Sequence, residues 1–243
     1  MGKIVAIGGG ELKLNETIEI DKFIVEFTDK YSPNALFIPT ASGEPQGYID
    51  VFNQVYRDTL NCKTDVLLLK TDELDDCEIE NKILSADLIY VGGGNTAMMI
   101  DIWKSKKVDV YLRKAYYNGT VLSGLSAGAI CWFTYGHSDS NKTDDGTEWE
   151  YILTGVLGIL NAIICPHYNE DGRKGFDEIM KTQTMPGIAI ENNCAIVIED
   201  NEFKIIKSDN TRSAYLLKND SGIITKTLLS NENYLPLDVL LEK

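Results

Sequence analysis

The sequence predicts an α/β fold, a mostly parallel sheet with helices on both faces and a C-terminal antiparallel meander. Three observations carry this. Short aliphatic runs alternate with longer amphipathic stretches up to about residue 125. The runs are apolar at successive positions, as strands buried on both faces require. After residue 185 the long stretches give way to closely spaced short runs separated by Asn, Asp, Glu and Gly.

In chain order, Lys3 to Ile7 reads as the first strand and Thr17 to Tyr31 as the first helix. The strands Ala35 to Ile38, Asp65 to Leu69, Leu88 to Val91 and Thr120 to Leu122 follow. Between them lie the helical stretches Gln46 to Leu60, Glu78 to Leu84 and Thr96 to Leu112. Parallel neighbours cannot be joined by tight turns, so each of these stretches is a crossover, right-handed by the usual rule. Gly187 to Ile190, Ala195 to Ile198, Phe203 to Ile206 and Tyr215 to Leu217 form the expected meander at one sheet edge. No Gly/Ser-rich or Pro-rich linker divides the chain, so residues 1–243 read as one domain. Six carboxylates within Asp72 to Glu80 precede and enter a helix, where the N-terminal dipole favours them over a metal-site reading.

Twenty-three Lys and Arg against 37 Asp and Glu give a formal charge of −14. That field repels phosphate backbones and anionic membranes, which argues against nucleic-acid and membrane partners. The five cysteines, Cys62, Cys77, Cys131, Cys165 and Cys194, contain no C-x-x-C pair and read as reduced, buried thiols of a cytoplasmic protein. No apolar run approaches the ~20 residues of a membrane span. There are two histidines, His137 and His167, so a three-histidine metal site is excluded and a histidine base has two possible positions.

The stretch Gly124-Leu125-Ser126-Ala127-Gly128 is G-x-S-x-G between a predicted strand and a predicted helix. Small residues around Ser126 permit a sharp turn that lifts its hydroxyl above the sheet edge. The following amide, that of Ala127, is a candidate oxyanion donor. The same pattern also serves as a plain small-residue turn; the strand before it and the helix after it favour the nucleophile.

A serine hydroxyl needs a base. His167, in Cys165-Pro166-His167-Tyr168, follows an apolar strand and should emerge at the carboxyl edge of the sheet, where ligands bind in open α/β folds. His137 reads as a structural hydrogen-bonder. For the orienting acid, Asp139 is the first candidate and Glu191 its competitor, with Glu148 and Glu170 behind them. A second glycine cluster, Gly92-Gly93-Gly94-Asn95, follows the fourth strand, and Gly93 or Gly94 is the other candidate oxyanion donor. This cluster and Gly8-Gly9-Gly10 match dinucleotide-binding patterns only weakly.

Taken in order, Gly8-Gly9-Gly10, Phe37-Ile38-Pro39-Thr40-Ala41-Ser42, Val91-Gly92-Gly93-Gly94-Asn95, Gly124 to Ala129 and Pro166-His167-Tyr168 resemble peptidase E. That serine peptidase family also contains cyanophycinase. The resemblance runs from residue 1 to about 200. It implies a flavodoxin-like three-layer sandwich related to class I glutamine amidotransferases, with Ser126 as nucleophile, His167 as base and no cofactor or metal. It further implies a small peptide substrate, with dipeptides bearing an N-terminal Asp as the first candidate. Asn95 and Arg173 are candidate substrate-binding residues, Arg173 and Lys174 being placed to neutralise a substrate carboxylate. A monomer or homodimer is expected. Alternatives are a cyanophycinase-like hydrolase of β-aspartyl peptides and a non-catalytic binding module on the same fold. An ordinary α/β-hydrolase would carry its histidine near the C-terminus, whereas 76 residues follow His167.

Overall fold

In the computed structural model, which describes residues 2–142, 150–229 and 233–242, the alternating runs become a parallel sheet. Strands β1 (Lys3–Ile7), β2 (Asn34–Ile38), β3 (Lys63–Val66), β4 (Leu88–Val91) and β5 (Val121–Leu125) stand in the order β1-β5-β4-β2-β3, each neighbouring pair parallel. Period-two alternation divides each strand between two helical layers. Val5, Ile7, Phe37 and Tyr90 pack on one face against α1 (Ile18–Glu26) and α2 (Gln46–Phe52) through Ile20, Ile24 and Phe52. Ile4, Ala6, Leu36, Ile38 and Ile89 pack on the other against α3 (Asp76–Leu84), α4 (Thr96–Ser105) and α5 (Val108–Tyr117). The result is the expected three-layer arrangement.

Two helical stretches are more articulated than their periodicity suggests. Gln46 to Leu60 begins as α2 and continues as a wider π turn, Asn53–Thr59. Thr96 to Leu112 is two helices, because Lys107 takes a left-handed backbone with φ 58° between them.

The expected meander is shared between two sheets. After α6 (Ala127–Ile130) come β6 (Phe133–Ser138), β7 (Ile152–Gly155), β8 (Leu160–Cys165), α7 (Gly175–Met180), β9 (Gly187–Ile190), β10 (Cys194–Glu199), β11 (Glu202–Lys207), β12 (Ala214–Asp220), β13 (Ile223–Leu229), β14 (Leu235–Pro236) and α8 (Asp238–Leu241). Strands β10, β11 and β14 extend the first sheet antiparallel beyond β1. Strands β9 and β12 instead enter a second sheet of order β13-β12-β9-β8-β6-β7. The turn from β9 to β10 therefore crosses from one sheet to the other, aided by Asn193 at φ 60°. Alternation tells which side chains of a strand are buried but not which neighbour it pairs with, so this division was not readable from the sequence.

The acidic cluster caps α3 as expected. Asp75 accepts from the Glu78 N–H at 2.8 Å while Glu78 accepts from the Asp75 N–H at 2.9 Å. All five cysteines are free. Cys77 departs from the expected burial, because α3 turns Ile79 and Ile83 inward and leaves position 77 on the solvent side. Among the described residues no helix is long and apolar enough to cross a membrane.

Candidate active site

The site is assembled around the carboxyl end of β1. The carbonyl of Ile7 accepts from the Ser126 N–H at 3.2 Å, that of Gly8 from the His167 N–H at 2.9 Å, and that of Gly9 from the Asn193 N–H at 2.9 Å. Three consecutive carbonyls thus hold three segments that are far apart in the chain. The glycines that supply two of them are needed for room. A Cβ on Gly8 would meet the Glu191 carbonyl oxygen at 2.3 Å, and one on Gly9 would meet Asn192 Oδ1 at 2.1 Å and His167 Nδ1 at 2.4 Å.

Ser126 links β5 to α6 with φ 56° and ψ −114°, a strained conformation for a non-glycine residue. The surrounding pattern has a steric cause. A Cβ on Gly128 would lie 2.0 Å from the Val91 carbonyl oxygen, and one on Gly124 would lie 2.6 Å from the same atom. Only glycine at both positions lets α6 sit down on the end of β4. The turn between them is the strand-to-helix elbow that G-x-S-x-G predicts.

His167 also has a positive φ, 55°, and its side chain is 19% exposed. Ser126, His167, Gly94, Asn95, Asp139, Lys142, Glu170 and Arg173 share one open cavity of about 420 Å³. The imidazole Nδ1 stands 2.7 Å from Asn192 Oδ1 and 3.1 Å from Glu170 Oε1. The Asn192 Nδ2 group donates to Glu170 Oε1 at 2.9 Å, and its own backbone N–H donates to Asn169 Oδ1 at 2.8 Å. With its amide nitrogen on a carboxylate, Asn192 must present an oxygen to the ring, so Nδ1 carries the proton and Nε2 keeps a lone pair.

The two favoured acids are engaged elsewhere. Asp139 lies 3.7 Å from the Arg173 guanidinium, and Glu191 accepts from the Ser213 N–H at 3.0 Å. Of the acids weighed in the sequence, Glu170 is the one beside the ring, and Glu148 lies outside the described residues. Asn192 was missed altogether: an Asn-Asn pair between two strands reads as turn chemistry.

The remaining candidates divide between site and scaffold. Arg173 lines the cavity though it is only 4% exposed. It donates to the His137 carbonyl at 2.8 Å and stacks 4.4 Å from the Tyr151 ring, while its Nε has no hydrogen-bond partner among the described residues. Lys174 sits over the Tyr168 ring instead, 3.8 Å from its centroid. Asn95 caps α4 by accepting from the Met98 N–H at 2.9 Å and donates to the Ser140 carbonyl at 3.0 Å, tying the segment that carries Asp139 to the glycine turn. His137 is fully buried, with Nδ1 at 3.3 Å from Cys165 Sγ and its ring against Tyr151 and Phe176. Burial first, and then the Arg173 charge, push its pKa down to about 4, so it is neutral at physiological pH.

The glycine turn after β4 treats its members differently. Burial raises the Tyr48 hydroxyl to about 12, and a hydrogen bond with the Gly93 backbone opposes this. Gly94, at φ 137°, has no room for a side chain: a Cβ would lie 2.2 Å from the Ala41 carbonyl oxygen. Its backbone borders the cavity that holds Ser126.

A strained serine on a strand-to-helix elbow of the first sheet, sharing a cleft with a tautomer-fixed imidazole that follows β8 of the second sheet, has the plan of a nucleophilic serine hydrolase. The chain belongs to peptidase family S51, whose model matches residues 4–206. It is 34% identical over 222 residues to the uncharacterized peptidase YgaJ of Bacillus subtilis (strain 168), covering 88% of this chain and 91% of that one. It is 30% identical over 176 residues to the uncharacterized peptidase Lmo0363 of Listeria monocytogenes, covering 68% of this chain and 82% of that one. A peptidase from an acI-B1 Actinobacterium has the same fold, with TM-score 0.74 at 23% identity over 97% of both chains. The assignment to a peptidase E type of serine peptidase made from the ordered motifs therefore holds.

Proposed function

We propose that this S51 peptidase cleaves short peptides through an acyl-enzyme on Ser126, with dipeptides bearing an N-terminal Asp as its first substrate class. His167 Nε2 takes the hydroxyl proton as Ser126 Oγ attacks the carbonyl. The amides of Ala127 and of Gly93 or Gly94 receive the oxyanion. The protonated imidazole then gives its proton to the leaving amine, and a water activated by the same ring releases the acyl group. One oxyanion donor is worth about 3 kcal/mol in such a site. Asn192 and Glu170 serve as the group that orients His167.

The observation that carries this reading is that strained Ser126 and a His167 whose Nδ1 is already held line one cavity. Substrate class rests on the shared cavity. Arg173 and Lys142 there suit a carboxylate, while Asp139 suits an α-ammonium group, and an N-terminal aspartate carries both. Free and mostly buried thiols favour a cytoplasmic setting.

The test is intact-mass analysis after treatment with a fluorophosphonate. A single adduct is expected on the wild type and none on Ser126→Ala; equal labelling of the two proteins, or no adduct on either, sinks the nucleophile assignment. A panel of Asp-Xaa, Asn-Xaa and β-aspartyl dipeptides then ranks the acidic side chain, and a preference for Asn-Xaa would remove the aspartate reading while leaving the peptidase standing.

A further inference from the structure

A second cavity, of about 430 Å³, lies beside the glycine turn and Leu125, the residue before the nucleophile. Glu11 and Lys13 line it together with Leu12, Tyr48, Val51 and Leu125, and its exposed surface is mainly apolar. The two cavities meet at the glycine turn, Gly93 bordering one and Gly94 the other. Leu125 and Ser126 are likewise split between them, and a Cβ on Gly93 would stand 3.2 Å from Leu125 Cδ1 and 3.3 Å from Ser126 Cβ. The nucleophile thus lines the charged cavity, while the residue before it in the chain, Leu125, lines the apolar one.

The apolar wall is also fixed in place. Tyr48 packs edge-on against Phe37 with ring centroids 4.9 Å apart. Leu12 and Leu125 are buried at 2% and 8% exposure. A preformed concave apolar surface beside a reacting atom is the general design of a side-chain subsite.

We infer that this cavity, bounded by Leu12, Tyr48, Val51 and Leu125, is a second substrate subsite that takes an aliphatic or aromatic side chain across the scissile bond from the charged cavity. The inference rests on Ser126 being the nucleophile. It makes the preferred substrate a peptide that is acidic on one side of the cleaved bond and apolar on the other.

Gly47 gives a clean way to block the pocket. It is the second residue of α2, borders the cavity, and has nothing within 4 Å of where a Cβ would stand. A Phe there enters the cavity without a backbone clash, and Gly47→Leu serves the same test with a shorter side chain. Values of kcat/KM are compared for Asp-Gly and Asp-Leu, whose leaving residues differ by an apolar side chain, beside the rate of Ser126 labelling by a fluorophosphonate. The wild type should favour Asp-Leu. In Gly47→Phe and Gly47→Leu the Asp-Leu value should fall by about tenfold relative to Asp-Gly, as filling a hydrophobic pocket by a few methylenes requires. An unchanged Asp-Leu to Asp-Gly ratio in both folded variants overturns the subsite while leaving the nucleophile intact. Failure of the fluorophosphonate to label wild-type Ser126 overturns the nucleophile reading and the subsite with it.

Discussion

The Nδ1 nitrogen of His167 is hydrogen-bonded to the side-chain amide oxygen of Asn192 at 2.7 Å, and Glu170 receives the other end of that amide. The orienting unit is thus an amide backed by a carboxylate. Removing it frees the ring to rotate and exchange tautomers, which spoils proton transfer without emptying the substrate cavity. Asn192→Ala should lower kcat by about a hundredfold, the scale of loss expected from a misplaced catalytic group, with KM little changed. Glu170→Gln should cost less, because the Asn192 contact remains. Steady-state kinetics on an Asp-Xaa dipeptide checks both, and a loss confined to KM would remove the orienting role.

Gly9 has a comparable effect from the opposite side. Its bare Cα allows His167 and Asn192 to meet where a methyl group would stand 2.4 Å and 2.1 Å from them. Gly9→Ala should therefore part the pair and slow fluorophosphonate labelling by about a hundredfold, by the same displacement argument. Wild-type labelling in the folded Gly9→Ala protein would show that the close approach is not needed.

These contacts explain what the sequence could and could not show. Ser126 was legible because elbow, strand and helix are contiguous, and steric need at Gly124 and Gly128 is written into adjacent letters. The place of His167 in the cleft was legible from the apolar run before it, but that run is β8 of the second sheet and not a strand of the parallel one, because the run's apolarity does not say which sheet it joins. Asn192 was hidden because its role is made by a β9-to-β10 turn that crosses between sheets, a pairing no local period encodes. Gly8-Gly9-Gly10 gave a weak phosphate-loop pattern for a related reason: local spacing marks where a backbone must be bare but not which side chain approaches it. Asp139 stands 3.7 Å from Arg173 and Glu191 accepts from the Ser213 N–H, contacts that no local pattern of the sequence announces.

Asn95 was expected at the substrate, yet both ends of its side chain are used to hold the backbone of Met98 and Ser140. Asn95→Ala removes the α4 cap, a change that typically costs about 1 kcal/mol. It also releases the segment leading to Asp139. A lower Tm and a raised KM are expected together, measured by calorimetry and by dipeptide kinetics. A raised KM at unchanged Tm would instead return Asn95 to direct substrate contact.

Two buried groups far apart in sequence set opposing pH dependences on stability. Asp21 is fully buried, accepting from Tyr56 and Thr17 at 2.8 Å each, and desolvation raises its carboxyl from 3.8 to about 7 despite those bonds. The folded state thus keeps a proton that the unfolded chain gives up. This contribution is full below pH 3.8 and is lost as the pH rises towards 7. His137 runs the other way: burial lowers it from 6.5 to about 4, so its contribution is full above pH 6.5 and is lost as the pH falls towards 4. Each slope is about 1.4 kcal/mol per pH unit, so between pH 4 and 6.5 they oppose and largely cancel. Asp21→Asn keeps an acceptor for Tyr56 and a polar partner for Thr17 but cannot ionise. Its stability should climb with pH from 4 to 6.5 by up to about 1.4 kcal/mol per unit, and exceed that of the wild type above pH 7. Urea unfolding of both proteins at pH 4.5, 6.5 and 8.5 measures this, and parallel stability curves for the two would mean that Asp21 ionises as readily in the fold as in the unfolded chain.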